Sequence, residues 1–351
     1  MDLSIYKNRK VLVTGHTGFK GSWLSIWLNE LGAKVSGYSL DPKTEKDNFV
    51  LSNLKTKIND HRGNILDTAN LSKVFEIEKP EIVFHLAAQP LVLESYKSPI
   101  ETIATNTLGT ANVLEAFRQC ETAKQMIVIT TDKVYDNVEW VWGYRETDRL
   151  GGKDIYSASK AAAEIITNAY CHSFFYDSDK SVVTARAGNV IGGGDWAENR
   201  IIPDCIRAIE KNETIILRNP NSIRPWQHVL DPLGGYLMLG KKLISGDNSF
   251  FESWNFGPIS SDGISVETLV KGIIKSFGNG KYQVQPSEGA PYESKTLNLD
   301  ISKAINQLKW RPLLNTDEAI KLTAEWYKNY SNTEVYKMCA DQIKRYEGLS
   351  K

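Results

Sequence analysis

The sequence predicts an α/β fold, namely a Rossmann-like doubly wound parallel sheet with a smaller, interleaved C-terminal lobe. Apolar, β-branched runs alternate with segments of helical periodicity through the first half of the chain. A glycine-rich turn, Gly15 to Gly21, joins the first run to the first helical segment. Beyond residue 188 the elements become shorter. Such alternation is typical of a parallel sheet with helices on both faces, and we divide the chain into residues 1–188 and 189–351.

The spacing of apolar residues predicts the individual elements. Strands are expected at Lys10–Thr14, Lys34–Tyr38, Glu81–Leu86, Gln125–Thr131, Ser181–Ala187 and Thr214–Leu217. Helices are expected at residues 23–31 and at Thr105–Arg118, Asp154–Phe174, Ile201–Lys211, Leu233–Leu243, Val266–Phe277 and Asp317–Tyr330, where the pattern ends.

The composition argues against several classes of protein. The 42 basic and 42 acidic side chains cancel, which gives no electrostatic reason to expect a nucleic-acid or anionic-membrane partner. No apolar run approaches the ~18 residues of a membrane span, and we expect no secretory signal. Four cysteines without CxxC spacing and five scattered histidines predict no metal site. Free thiols fit a reducing, cytoplasmic location.

The turn Gly15-His16-Thr17-Gly18-Phe19-Lys20-Gly21 lies between a strand and a helix. Glycines there permit a tight turn and a close approach of the backbone to a pyrophosphate. The alternative is a glycine-rich turn without a ligand. In this context we expect a dinucleotide cofactor, held by Gly15, Thr17, Gly18, Phe19, Lys20 and Gly21.

Asp41, near the end of the second strand, is expected to accept hydrogen bonds from the adenine-ribose hydroxyls and so to favour NAD over NADP. The alternative is a turn aspartate before Pro42. The remaining cofactor contacts are expected at Asn64 and Ile65, beside the adenine, and at Leu86, Ala87 and Ala88, whose alternative is simple core packing. Asn106 either braces the active-site end of the sheet or caps its own helix.

Tyr156 and Lys160 lie four residues apart on a predicted helix, so their side chains share one face. A phenol normally ionises near pH ~10, and a neighbouring ammonium and an oxidised nicotinamide would both favour the phenolate. The pair therefore predicts removal of a proton and a hydride from an alcohol carbon, with Tyr156 as base. The alternative is an ordinary surface pair.

With the glycine turn, this pair resembles the extended short-chain dehydrogenase/reductases of the nucleotide-sugar modifying branch, over Val11 to about Pro312. The resemblance implies that Thr131, at the end of the predicted strand Gln125–Thr131, hydrogen-bonds the reacting sugar hydroxyl. Nucleotide-sugar 4,6-dehydratases carry an acid and a base next, usually Asp-Glu, where this chain has Asp132 and Lys133. Asp-Lys resembles the members that act on CDP-glucose, and related epimerases lack the pair. The alternative is an exposed salt bridge at a strand end.

The resemblance implies an NAD-dependent lyase that converts CDP-D-glucose to CDP-4-dehydro-6-deoxy-D-glucose. C4 is oxidised, water is eliminated across C5 and C6, and the hydride returns to C6. Asp132 is the expected acid toward O6 and Lys133 the expected base at C5. Because an ammonium cannot accept a proton, Lys133 either is neutral in part or stabilises the enolate as a cation. A 4-epimerase, a dehydratase of GDP-mannose or dTDP-glucose, and a non-catalytic NAD-binding protein remain alternatives.

The resemblance also implies a site for the nucleotide diphosphate. Arg186 to Gly192 resembles a family segment whose asparagine meets substrate, here Asn189, and Ser222 to Asp231 resembles one whose arginine clamps a phosphate, here Arg224. An Asx turn and a surface ion pair are the respective alternatives. The full set of expected substrate contacts is Gln89, Thr131, Asn189, Arg200, Arg218, Arg224 and His228.

Two predicted helices, Thr105–Arg118 and Asp154–Phe174, carry apolar faces. They resemble the helices with which the family forms a four-helix bundle between subunits. The resemblance therefore implies a homodimer, or a dimer of dimers, built through these helices.

Overall fold

The computed structural model describes residues 1–247, 250–259, 263–285 and 296–350. Its strands are β1 (Lys10–Thr14), β2 (Lys34–Ser39), β3 (Asn59–Arg62), β4 (Ile82–His85), β5 (Gln125–Ile129), β6 (Ser181–Ala187), β7 (Val190–Ile191), β8 (Thr214–Leu217), β9 (Ile223–Arg224), β10 (Gln227–His228), β11 (Ser253–Phe256), β12 (Ile264–Ser265) and β13 (Lys281–Val284).

The α-helices are α1 (Phe19–Glu30), α2 (Asn48–Leu51), α3 (Thr68–Glu78), α4 (Val92–Lys97), α5 (Pro99–Ile103), α6 (Gly109–Gln119), α7 (Ile155–Tyr170), α8 (Ile201–Glu210), α9 (Leu230–Ile244), α10 (Val266–Phe277), α11 (Thr316–Asn329) and α12 (Val335–Leu349). Wider π-helical turns occupy Ala104–Leu108, Cys171–Phe175 and Ala304–Leu308. Short 3₁₀ turns include Ser4–Tyr6, Leu54–Thr56 and Asp132–Val134.

The predicted α/β architecture is confirmed by the central sheet. Seven parallel strands follow the order β11-β6-β5-β4-β1-β2-β3. The chain runs outward from β1 to β3 and then returns to β4 on the other side of β1. In such sheets, ligands bind beyond the carboxyl ends of the strands at this reversal, which here lies between Thr14 and His85.

Two strands of the sheet were not predicted, for different reasons. The sequence of β3, Asn59-Asp60-His61-Arg62, has no apolar residue, because this edge strand is only partly buried. β11 comes from the second half of the chain and pairs with β6, Trp254 lying opposite Ala185. That pairing joins residues far apart in sequence, which local periodicity does not detect. The smaller pairs are β7 with β10, β8 with β13 and β9 with β12.

The prediction that the helical pattern ends at Tyr330 is wrong, because α12 follows. This helix packs on α1, where the Tyr346 ring meets Trp27 edge to face with centroids 5.6 Å apart. The Trp27 indole also donates to Glu347 at 2.8 Å. The C-terminal helix thus covers one face of the N-terminal half. Among the described residues, no helix is long and apolar enough to cross a membrane.

Candidate active site

The glycine turn has the backbone geometry that a phosphate cradle requires. Gly15 has φ of +77°, and a Cβ there would lie 2.7 Å from the backbone nitrogen of Ala87. Gly18 is the N-cap of α1 and supplies no side-chain cap, so the first N–H groups of the helix, those of Phe19 and Lys20, lack intrahelical partners. No acidic residue lies in this turn. The turn therefore fits a pyrophosphate, the anionic centre of a dinucleotide.

Two side chains of the turn are directed away from that backbone cradle. The Thr17 hydroxyl lies 2.8 Å from that of Ser39 and donates to the Leu40 carbonyl at 3.0 Å, which ties the turn to the end of β2. Burial lowers the pKa of the Lys20 amine to about 7, helped by Arg200 and opposed by Asp132. Lys20 therefore lies near Asp132, Lys160 and Arg200, candidate site residues described below.

The end of β2 carries a carboxylate as predicted, but an arginine accompanies it. The Asp41 side chain is 88% exposed, and its Oδ1 lies 3.8 Å from Arg62 Nε. Arg62 also donates to the Leu40 carbonyl at 3.1 Å and to Asp60 at 2.8 Å. The fixed guanidinium leaves Asp41 open to solvent and available to a ribose hydroxyl.

Two expected adenine contacts have other partners. The Asn64 side chain accepts from the Leu66 backbone N–H at 2.9 Å and so shapes its own turn. Ile65 is buried, and it packs so closely on α6 that a Cβ at Gly109 would lie 2.8 Å from Ile65 Cγ1. The prediction that Ile65 flanks an adenine is therefore not supported by its burial.

The segment after β4 runs beside the glycine turn. Leu86, Ala87 and Ala88 are half-buried, and Ala87 N–H donates to the Thr14 hydroxyl at 3.3 Å. The Gln89 side chain, expected to contact substrate, donates instead to the Leu91 carbonyl (3.1 Å) and the Thr102 hydroxyl (2.8 Å). Its oxygen accepts from Leu91 N–H. Gln89 therefore organises its own loop, and the prediction of a substrate contact is not supported.

Asn106 braces the active-site end of the sheet, one of the two alternatives for this residue. Its amide accepts from Gln89 N–H at 2.8 Å and donates to the Gln89 carbonyl at 3.0 Å. It also donates to the Ser159 hydroxyl on α7 at 2.9 Å. Because Asn106 lies in the wider turn Ala104–Leu108, it reaches both the loop after β4 and the helix that carries Tyr156 and Lys160.

Thr131 and Asp132 form a buried polar group just past the end of β5. The Thr131 hydroxyl donates to Asp132 Oδ1 at 2.9 Å, and the Asn189 amide donates to Oδ2 at 3.4 Å. Gly188 faces the same carboxylate so closely that any Cβ there would overlap it. Asp132 is therefore buried and oriented, so an exposed salt bridge no longer explains it.

Lys133 follows in the same 3₁₀ turn, Asp132–Val134. Its backbone N–H lies 3.4 Å from the Thr131 hydroxyl oxygen, and its side chain is half-buried. The turn therefore brings a carboxylate and an amine to the same strand end.

α7 brings Tyr156 to this group. The helix begins at Ile155, capped by Asp154, which accepts from Ser157 N–H at 2.9 Å. Burial raises the pKa of Tyr156 to about 12, although a hydrogen bond with Thr131 acts against this. The direction is opposite to the expected lowering, because desolvation outweighs the nearby donors. Tyr156 is thus a neutral phenol in the chain alone.

Lys160 lies one turn further along α7, on the same face. Its ammonium donates to the Ile129 carbonyl at the end of β5, at 3.2 Å. Burial lowers the pKa of Lys160 to about 8, and Glu164 acts against this. The structure therefore brings together Thr131, Asp132, Tyr156 and Lys160, as the sequence predicted. Glu164 was missed, although its position four residues after Lys160 was a usable signal.

The expected diphosphate contacts differ in their surroundings. Arg200 pairs with Asp195 at 2.8 Å. Its positive charge opposes the rise in the pKa of Tyr156, so Arg200 lies near that residue. Arg224 is buried and donates to the Ile223 carbonyl at 2.9 Å, whereas Arg218 is exposed beyond β8.

His228 is the clearest disagreement with the sequence prediction. The ring is 0% exposed and packs edge to face on Trp23, with centroids 6.2 Å apart. Burial lowers the pKa of His228 to about 3, so the imidazole is neutral. The predicted substrate contact is not supported, because the side chain lies within the core. Within the described ranges, no group of three or more metal-ligating side chains occurs.

Sequence comparison now identifies the family. The profile described as GDP-mannose 4,6 dehydratase matches residues 12–323. This chain belongs to that family. The dehydratase assignment agrees with the resemblance inferred from the glycine turn, Tyr156, Lys160 and the Asp-Lys pair.

Individual dehydratases are similar over nearly the whole chain. A CDP-glucose 4,6-dehydratase of Salmonella typhimurium is 45% identical over 345 residues, which cover 97% of this chain and 96% of the relative. A dTDP-D-glucose 4,6-dehydratase of Dictyostelium discoideum is 28% identical over 92% of this chain and 82% of its own. Among solved structures, the UDP-glucose 4-epimerase of Thermus thermophilus in complex with NAD has a TM-score of 0.79 and 25% identity, covering 91% of this chain and 98% of that one.

Proposed function

We propose that this enzyme removes water from CDP-glucose to give CDP-4-dehydro-6-deoxyglucose, with NAD as resident cofactor. One observation carries the proposal: a buried carboxylate, Asp132, is oriented beside Thr131 and Tyr156 just past the carboxyl end of β5. An enzyme that only inverts C4 needs no acid there. The 45% identity to a CDP-glucose 4,6-dehydratase supports the nucleotide.

The first chemical step is removal of the C4 hydroxyl proton by Tyr156. Thr131 donates a hydrogen bond to the reacting oxygen, and the Lys160 ammonium stabilises the phenolate that accepts this proton. When bound, NAD would supply the hydride acceptor for C4 and, once reduced, the hydride donor for C6, so that no net oxidation results. The glycine turn would hold its pyrophosphate, and Asp41 its adenine ribose.

Elimination then requires an acid and a base on neighbouring carbons. The C4 ketone acidifies the C5 hydrogen. Either neutral Lys133 accepts this proton, or a water molecule accepts it while cationic Lys133 stabilises the enolate. Protonated Asp132 gives its proton to O6, the C6–O6 bond breaks and water departs. After the hydride reaches C6, C5 takes up a proton. Atoms and electrons balance, because only water leaves the sugar.

The substrate diphosphate is proposed to meet the arginines around this group. Arg224 is buried, so a phosphate there would be shielded from solvent, where a bidentate guanidinium contact is strong. Arg200 is close enough to Tyr156 to influence its pKa. Asn189 donates a hydrogen bond to Asp132 and so lies beside the same group of residues. Arg218, being exposed, is the weakest member of the set.

Incubation with CDP-glucose labelled with deuterium at C4 tests this function. We expect a product lighter by one water, with the label on the C6 methyl group. A 4-epimerase would leave the mass unchanged, and loss of the label to solvent would contradict internal hydride return. Parallel assays with dTDP-, GDP- and UDP-sugars test the nucleotide, and turnover of one of these in preference to CDP-glucose would reject the proposed substrate.

We further propose that the enzyme is a homodimer in which two helical segments, residues 104–119 (the π-helical turn and α6) and α7, pair with their symmetry mates as a four-helix bundle. Support comes from exposed apolar side chains on these segments and just before the first: Ile100 is 77%, Leu108 55% and Ile165 58% exposed. A helix face this apolar is costly in water. The proposal allows a dimer of dimers as the larger assembly, and it includes a cytoplasmic location. It also divides the chain into a cofactor domain (1–188) and an interleaved substrate lobe (189–351). The four unpaired cysteines fit a reducing compartment.

Ile165→Glu is expected to convert the dimer to a monomer, because it places a charge in the centre of the proposed bundle. Light scattering coupled to size exclusion measures the mass. Leu349→Glu, at a residue 54% exposed on α12, is the matched control and should leave the mass unchanged. A monomeric wild type, or a dimer that persists in Ile165→Glu, would reject this interface.

A further inference from the structure

A buried ion pair, Glu164 with Arg186, lies behind the catalytic residues and has no part in the reaction as proposed. Arg186 Nε and Nη2 each donate to one carboxylate oxygen of Glu164 at 2.9 Å. The two side chains are only 3% and 2% exposed. Replacing such a pair with apolar side chains is often neutral or stabilising, so the pair calls for a reason other than stability.

The Glu164 carboxylate has a full set of donors. The Thr130 hydroxyl donates to Oε1 at 2.5 Å, and the Thr184 hydroxyl to Oε2 at 2.7 Å. Ser253 approaches Oε2 at 3.3 Å. Burial alone would raise the pKa of Glu164, but Arg186 and these hydroxyls hold it below its usual value. Glu164 is therefore a fixed negative charge inside the protein.

Two observations place the Glu164 charge close to Lys160. The residues are four apart on α7, so they share a face one turn apart. They also bind consecutive residues at the end of β5: Lys160 donates to the Ile129 carbonyl, and Glu164 accepts from Thr130. Burial lowers the pKa of Lys160, and Glu164 is the group that acts against this.

Among the residues that the structure describes, Glu164 is the one charged group that opposes the lowering of the Lys160 pKa. The further titratable or charged groups in this region are Lys20 from α1, His85 from β4, Asp132 and Tyr156, with Arg200 beyond them. The charges of Lys20 and Lys160 repel each other. Burial lowers the pKa of His85 to about 3, so His85 is neutral. Asp132 acts on Lys20 and Tyr156 instead.

We propose that Glu164 is a positioning residue whose negative charge keeps the Lys160 ammonium protonated and held at Ile129. Arg186 keeps Glu164 ionised, so that the carboxylate does not take the proton of Lys160 for itself. The three side chains form a buried row of positive, negative and positive charge. The inference rests on the proposed role of Lys160 in the reaction, and it names what maintains that role.

Glu164→Gln tests the proposal because it removes the charge and keeps the shape and an acceptor oxygen. We expect the alkaline limb of the kcat/KM profile, where Lys160 loses its proton, to move down by about one pH unit or more. The amine of Lys160 should titrate lower by the same amount in ¹³C-lysine spectra of the substrate-free protein, its signal being assigned by its loss in Lys160→Met. Glu164→Asp keeps the charge, so its alkaline limb and its Lys160 titration should lie close to those of the wild type.

Thr184→Val is the matched control, since it removes a donor to Glu164 but no charge, and its alkaline limb should stay in place. If Glu164→Gln does not fold, the double variant Glu164→Gln/Arg186→Met removes both charges, and its limb should still lie below that of the wild type. Unchanged Lys160 titration in either variant would overturn the proposal. A shifted titration in a protein that dehydrates no nucleotide sugar would reject the proposed function and leave this inference standing.

Discussion

Tyr156→Phe is expected to lower kcat by roughly 10²- to 10⁴-fold, because the C4 hydroxyl loses the group that takes its proton. The phenol is buried and hydrogen-bonds with Thr131. Burial raises its pKa to about 12, so it can act as base only when the loaded site stabilises the phenolate. Turnover of CDP-glucose under saturating substrate measures the loss.

The fold should survive this change. Removing one hydroxyl from a neutral hydrogen bond costs about 1 kcal/mol, which denaturant unfolding resolves. Tyr170→Phe, on the same helix but outside the site, is the matched control and should retain full turnover. Near-normal activity in a folded Tyr156→Phe protein would exclude Tyr156 as the base.

Asp132→Asn is expected to separate elimination from oxidation. The amide keeps the shape that Gly188 accommodates, but it cannot supply a proton to O6. C4 oxidation and exchange of the C5 hydrogen with deuterated solvent should continue, whereas loss of water should fall by roughly 10²- to 10⁴-fold. Mass spectrometry of the quenched nucleotide sugar follows both events.

Lys133→Ala gives the complementary pattern and serves as the comparison. If Lys133 removes the C5 proton or stabilises the enolate, exchange at C5 should fall along with dehydration. If the Asp132→Asn variant still releases water at the wild-type rate, Asp132 is not the acid. Lys133→Ala with undiminished C5 exchange would remove Lys133 from both of its proposed roles.

Local sequence was sufficient for features whose geometry depends on a few neighbouring residues. The glycine turn follows from three glycines between a strand and a helix, and Gly15 has the positive φ that such a turn needs. Tyr156 and Lys160 share a face because helix geometry places residues four apart together. Thr131 and Asp132 were predicted from the resemblance of this segment to the corresponding segment of the family.

Residues whose environment depends on distant segments were harder to predict. The motif that contains His228 matched a family signature, yet its ring packs on Trp23 from α1, more than 200 residues earlier in the chain. Ile65 was expected at a ligand surface, but α6 covers it. Gln89 has a suitable amide for substrate, but its own loop uses it. In these three cases the structure shows burial or competing partners that the local sequence does not reveal, and the expected ligand contacts stay predictions.

The sequence by itself determined the α/β class, the glycine turn and the spacing that places Tyr156 and Lys160 on one helix face, because periodicity and short spacings act through local backbone geometry. Only the tertiary structure decided the rest: the two unpredicted strands β3 and β11, the helix that covers α1, and the charge state of the site. Desolvation raises the pKa of Tyr156 and lowers that of Lys160. The lowering for Lys160 is opposed by the charge of Glu164, which pairs with Arg186 on β6. Which charges lose contact with water, and which partners they find there, depends on segments that meet only when the chain has folded.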